Sequence, residues 1–155
     1  MGMTDPYKIS QLSKELVAAE LRSAPDPYKL AAKTIRETVH AALRAIPSND
    51  PSADLAIQEA VRGGLQGLIL ADLDIAKGGI LVLREILELA LDLGRDPQEA
   101  ILSVMKGIAS LKRLVRADQL DKLRLEIDAD YHGAGEAFSN LLQRVTDPGA
   151  AEKKV

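Results

Sequence analysis

The stretch DIAKGGILVLREILELALDL, residues 74–93, is the most apolar in the chain and decides the fold class. At 3.6 residues per turn, Lys77, Arg84, Glu85, Glu88 and Asp92 fall on one narrow stripe, while Ile75, Ile80, Val82, Leu83, Ile86, Leu87, Leu89, Ala90 and Leu93 cover the rest of the girth. A helix this apolar must be surrounded by protein or by lipid. A bilayer span needs roughly 18 uninterrupted apolar residues, and the longest clean run is Gly78 to Leu83. The spacing therefore predicts a central core helix with the other helices packed around it, and it disfavours an integral membrane protein.

Outward from this helix, the same capping device recurs. Asp5-Pro6, Asp26-Pro27, Asp50-Pro51 and Asp96-Pro97 each place an N-capping carboxylate before a proline that has no N–H to lose. They predict helices over about 6–22, 27–46, 51–71 and 97–116. Their core faces are read as Ile9, Leu12, Leu16 and Leu21; then Ala31, Ile35, Val39, Ala42, Leu43 and Ile46; then Ile57, Val61, Leu65 and Leu68; then Ile101, Val104, Met105, Ile108 and Leu111. Gly94 supplies a left-handed C-cap after residue 93. Residues 72–74 read as a break, with a continuous helix across them left open. Helical period continues from Leu120 through Ile127, Phe138 and Val145. Gly133 and Gly135 interrupt it at about 1 kcal/mol each, so one long helix or two meeting at a bend are both allowed.

The fold class expected is thus all-α, a five- to six-helix antiparallel bundle. Residues 1–146 form one domain and 147–155 a flexible tail. Three Tyr, one Phe and no Trp leave the core to Leu, Ile, Val and Ala on closely spaced helices. With no Cys, disulfides, thiolate nucleophiles and sulfur-ligated zinc are excluded, and the cytoplasm is the default compartment. The net charge of −3 conceals a division: residues 1–46 carry seven basic and five acidic side chains, 47–100 four and ten, and 101–155 nine and eight.

An offset of 22 residues lays Ile35, Glu37, Val39, Ala41, Ala42, Leu43 and Ala45 over Ile57, Glu59, Val61, Gly63, Gly64, Leu65 and Gly67. A further 44 lays Ile101, Met105, Lys106 and Gly107 over Ile57, Val61, Arg62 and Gly63. A single-helix repeat of about 22 residues makes hairpins of about 44, the size of an α-solenoid unit, though a compact bundle is equally allowed. Ala60, Gly63, Gly64, Gly67 and Ala71, with Gly78 and Gly79, are the candidate close-packing or interface residues. Glycine in mid-helix costs about 1 kcal/mol against Ala, and close approach by a neighbouring helix offsets that loss.

Chemistry finds little support. His40 is isolated and falls on the repeat position of Arg62 and Lys106. Asp128 and His132 stand four apart, two metal ligands that lack a third or fourth unless a distant companion such as Glu59 joins them. Ser103 and Ser110 have no adjacent base. No P-loop, dinucleotide fingerprint or Glu-x-x-His pair is present. No catalytic residue, metal or cofactor is expected, and an enzyme is disfavoured.

Two charged stripes remain: Lys29, Lys33, Arg36, His40 and Arg44, and facing it in character Glu85, Glu88 and Asp92. Nucleic acid is disfavoured, since the basic stripe lacks interleaved aromatics and the chain is acidic. Pairing of the two stripes, within one chain or between copies, is more economical. A chain this size is expected to enclose only one helix as apolar as those at 51–71 and 74–93, leaving surplus for a partner. The expected function is a non-enzymatic helical binding or scaffolding protein whose partner is itself or another helical protein. A peripheral lipid surface, or a small-molecule pocket near Gly63, Gly67, Gly78, Arg62, Asp72, Lys77 and Arg84, is the alternative.

Overall fold

The computed structural model describes residues 6–21, 24–47 and 50–145; the expectations placed on Asp5, Arg22, Ser23 and the tail 147–155 lie outside them. Among the described residues the chain forms seven α-helices and one 3₁₀ turn: α1 (Pro6–Leu21), α2 (Pro27–Arg44), α3 (Ser52–Leu70), α4 (Ile75–Asp92), α5 (Pro97–Ala109), the turn Lys112–Leu114, α6 (Ala117–Asp130) and α7 (Ala134–Arg144). Seven replaces the expected five or six for two reasons. The terminal segment bends between Tyr131 and Gly133 to give two helices, and α3 and α4 are separate across 72–74; the fifth helix stops at Ala109 rather than near Arg116, which adds only the 3₁₀ turn.

Aspartates start these helices as their chemistry requires. The Lys29 amide donates to Asp26 Oδ1 at 3.1 Å, and the Gln98 amide to Asp96 Oδ1 at 2.9 Å. Asp50 accepts from the Ser52 amide at 2.9 Å, which puts Pro51 just outside α3 rather than inside it and holds the Asp50 carboxyl below its ordinary value. Asp74, unanticipated as a cap, accepts from the Ala76 amide and opens α4.

The breaks are equally local. After α4, Gly94 at φ 70° lets the Arg95 amide reach the Ala90 carbonyl and its own amide the Leu91 carbonyl, a Schellman motif. After α3 the same pair of bonds forms, Leu73 to Leu68 and Asp72 to Ile69, but the left-handed position is held by Asp72 at φ 58°. This settles the open question at 72–74: α3 and α4 are separate helices. An L-residue in that conformation costs about 1 kcal/mol that glycine avoids. Asp72→Gly is therefore expected to raise the unfolding free energy by about 0.5–1 kcal/mol in urea denaturation, and a loss of stability would contradict the turn as described.

Consecutive helices run antiparallel, with Gly78 near the start of α4 against Leu65 and Leu68 near the end of α3, and Gly79 against Ile108 of α5. Next-but-one helices run parallel. Ser10, Ser13 and Val17 of α1 meet Gly63, Gly64 and Gly67 of α3 in the same order. Asp54 and Gln58 of α3 meet Ser103 and Gly107 of α5, and Tyr28 and Arg36 of α2 meet Asp74 and Glu85 of α4. Ile75, Gly79 and Arg84 of α4 meet Gln119, Leu123 and Asp130 of α6. The odd helices α1, α3, α5 and α7 thus form one row and the even helices α2, α4 and α6 another. Bundled helices were expected to be antiparallel throughout; within each row they are not. The 22-residue offset superimposes α2 on α3, which belong to different rows.

The core centre also shifts from the expectation. α4 shares the centre with α3: α3 is packed by α1, α2, α4 and α5, and α4 by α2, α3, α5 and α6. Both apolar helices are enclosed: among their large apolar side chains only Leu55, Leu70 and Leu91 are exposed. The expected surplus on α3 and α4 is thus largely absorbed by the chain itself. On α1 the buried face is Ile9, Ser10, Ser13 and Val17, whereas Leu16 is 38% exposed and Leu12 and Leu21 are partly buried. The physical reason is the glycine face of α3, which admits α1 so closely that only small or narrow side chains fit between the two backbones.

Candidate interaction surfaces

Of the residues singled out for close packing, the α3 glycines are sealed by α1 and α2. A Cβ placed on Gly63 would overlap the Ser10 carbonyl oxygen and stand 2.8 Å from Ser10 Cα. One on Gly64 would overlap the Ile35 side chain, and one on Gly67 would lie 2.9 Å from Val17 Cγ1. Ala60 is buried, and its carbonyl accepts a bond from Ser13 Oγ at 2.7 Å. Ala71 is exposed, just past the end of α3. Gly78 lies beneath Leu68, and Gly79 beneath Leu123. Gly63 and Gly67 seat α1 on α3 within the odd row and Gly79 seats α6 on α4 within the even row, while Gly64 and Gly78 join the rows; Gly67 and Ala71 border only a shallow groove. Arg62 is occupied with Glu59, Lys77 stands 4.6 Å above the Tyr28 ring, and Arg84 binds Asp130. The pocket imagined among them is not assembled.

The two charged stripes meet at one point. Arg36 Nη1 donates to Glu85 Oε1 at 3.0 Å and Glu88 Oε1 at 2.8 Å, and Nη2 to Asp92 Oδ2 at 3.3 Å. These bonds, to Glu88 foremost, raise the guanidinium pKa further above its already high value. Lys29, Lys33, His40 and Arg44 stay exposed and enter no ion pair among the described residues. A second bridge of the same sense joins α4 to α6, Arg84 Nη2 to Asp130 Oδ2 at 2.8 Å. In both, a cation on one even helix reaches carboxylates on the next.

The three carboxylates around Arg36 are half or more exposed to solvent in two cases, so each pair contributes little alone. Removing the shared cation leaves three like charges along one face of α4. Arg36→Gln is expected to cost about 1 kcal/mol at low ionic strength and less than half of that in 1 M salt. Equal losses at both salt concentrations would mean that packing, not charge, explains the effect.

The candidates for chemistry are dispersed. Asp128 Oδ1 accepts the amides of Gly133 and Gly135, both at 3.1 Å, and so ties α6 to the start of α7 across the bend instead of facing His132 as a ligand. The helix ends at Asp130, which breaks the i, i+4 spacing that suggested a metal. Among the described residues no group of three His, Asp or Glu side chains could hold an ion. Buried Ser103 does have a carboxylate partner, Asp54 Oδ1 at 3.2 Å, unseen in the sequence because it comes from α3; with no base beyond it, it is a helix-to-helix tie. Ser110 bonds back to the Gly107 carbonyl.

Two apolar grooves escaped the sequence reading because each is made by helices remote in the chain or by residues assigned to the core. The first, about 340 Å³, runs between α1 and α2 and is lined by Leu12, Leu16, Leu30 and Ala41, with Lys33 and Glu37 at its rim. The second, about 440 Å³, lies between α5 and the α6–α7 bend and is lined by Ile101, Leu102, Met105, Tyr131, Ala134 and Ala137. Burial there pushes the Tyr131 hydroxyl pKa up. Among the described residues no helix is long and apolar enough to cross a membrane. No known protein family, curated protein or solved structure matches the chain.

Proposed function

We propose that this chain is a non-enzymatic helical binding module of the α-solenoid kind, a short stack of hairpins that associates with itself through helix-to-helix contacts. The observation that carries the reading is the parallel packing of next-but-one helices in both rows, from Ser10 on Gly63 through Arg84 on Asp130. Helices α1, α3 and α5 begin at Pro6, Ser52 and Pro97, about 45 residues apart, which is the period of two-helix solenoid repeats. Such a stack covers its interior helices on both sides and leaves grooves on the outermost hairpins. The α1–α2 groove is one of these, and its Leu12, Leu16 and Leu30 are left partly open to solvent.

Sedimentation velocity tests the self-association. A weight-average mass that rises above 16.7 kDa with protein concentration is expected; a mass fixed at that value into the millimolar range would contradict it. The α5–α7 groove favours a second reading, a site for a small apolar molecule beside Met105 and Tyr131. An apolar fluorescent probe displaced by Met105→Trp would support it, and absence of probe binding to the unmodified chain would remove it.

A further inference from the structure

We propose that copies of this chain stack head to tail, the α1–α2 end of one receiving the α6–α7 end of the next; this rests on the self-associating reading above and names its geometry. Among the described residues α2 has a row neighbour, α4, on one side only, and α6 likewise has only α4. The outward sides of these two helices are therefore the places where the stack can be continued by another molecule.

The charges on the two ends are opposite. Residues 6–44 carry seven basic and four acidic side chains, and residues 117–145 three basic and six acidic. On α2, Lys33 and Arg44 are exposed and enter no ion pair among the described residues. They lie about 60° and 80° round from Arg36, toward the α1–α2 groove, where the exposed Glu37 stands beside them. Lys29, about 20° from Arg36, lies on the α4 side. On α6, Asp121 and Leu125 are one turn apart and lie about half a turn round from Leu123, the residue that packs on Gly79 of α4. They point away from α4. Asp121 is exposed and enters no ion pair among the described residues, Leu125 is 59% exposed, and the exposed Glu136 adds a second acid at the start of α7.

Shape follows the same division. The basic end carries the groove of Leu12, Leu16, Leu30 and Ala41, and the acidic end carries Leu125 as a projecting apolar side chain. Inside the molecule, neighbouring even helices already join by cation to carboxylate, Arg36 on Glu85, Glu88 and Asp92, and Arg84 on Asp130. The contact between copies repeats this device with the signs exchanged. A two-fold contact between identical ends would instead oppose Lys33 and Arg44 to their own copies, or Asp121 and Glu136 to theirs. A head-to-tail contact of unlike patches leaves one patch of each kind free on every dimer, so it grows beyond the dimer into chains, or into rings where the rotation closes.

The test is sedimentation velocity at low ionic strength on the full chain and on three charge variants. K33E/R44E and D121K/E136K are each expected to lower the association constant at least about tenfold, and a chain carrying all four exchanges to recover to within about threefold of the unmodified protein. Leu125→Glu is expected to abolish growth at any charge state, and far-UV circular dichroism of every variant to match the parent because each substituted side chain is exposed. Association indifferent to D121K/E136K, or a four-fold variant weaker than either pair, overturns the head-to-tail geometry and leaves self-association standing. A parent chain that never exceeds 16.7 kDa overturns both.

Discussion

Gly63→Leu is expected to lower the unfolding free energy by about 4 kcal/mol and the melting temperature by about 10 °C, by prising α1 off α3. The first atom of any side chain at residue 63 already overlaps the Ser10 carbonyl, and what it meets is backbone, which cannot rotate aside. Relief requires the whole of α1 to shift, and with it the Ser13 hydroxyl bonded to the Ala60 carbonyl and the burial of Ile9 and Val17. Even Gly63→Ala, which gains about 1 kcal/mol of helix propensity, should be destabilising by about 2 kcal/mol. Gly79→Ala is the control. Its Cβ would stand 3.0 Å from Leu123 Cδ2, the far end of a flexible side chain, so propensity and crowding nearly cancel and a change within about 1 kcal/mol is expected. Urea denaturation of the three variants reads these values, and a Gly63→Ala protein as stable as the parent would refute the close contact.

The second large effect is expected at Phe138, the only phenylalanine and a fully buried one. Phe138→Ala should cost about 3–5 kcal/mol by removing the side chain and leaving a cavity beneath α7. Helix α7 is 11 residues long and packs chiefly on α5 and α6, too short to persist once its anchor is gone. The loss should therefore be local first. Amide hydrogen exchange is expected to speed up across 134–144 before it does in α3 and α4, and uniform acceleration along the chain would show instead that α7 unfolds only with the rest of the chain.

Much of the fold was legible because its signals are local. Asp26 and Asp96 announce α2 and α5, Gly94 closes α4, and the apolar period of α2 from Ala31 to Ile46 is the face the structure buries. Where the sequence misled, the deciding atoms came from elsewhere in the chain. On α1 the leucine stripe outweighs Ser10 and Ser13 by hydrophobicity, yet the serines are buried because only they fit against Gly63 and Gly64. The break at Asp72 was uncertain because an aspartate occupies a position where glycine is the usual signal. The 131–133 bend depends on Asp128 reaching forward to two amides, a bond that spacing alone does not reveal. Of the charged stripes, the residue types were visible, but that Arg36 alone gathers three carboxylates, leaving Lys29, Lys33 and Arg44 exposed, follows from how α2 lies on α4.

The absence of cysteine from the sequence permits a direct test of the proposed head-to-tail contact. Two single-cysteine proteins, Leu16→Cys at the α1–α2 end and Leu125→Cys on α6, are mixed in equal amounts and treated with a short bismaleimide. Head-to-tail stacking predicts one crosslinked product, a mixed dimer joined 16 to 125, and a ladder of multiples of 16.7 kDa from a chain carrying both cysteines. Dimers joined 16 to 16 or 125 to 125, or no crosslink at concentrations where the protein is associated, would contradict it.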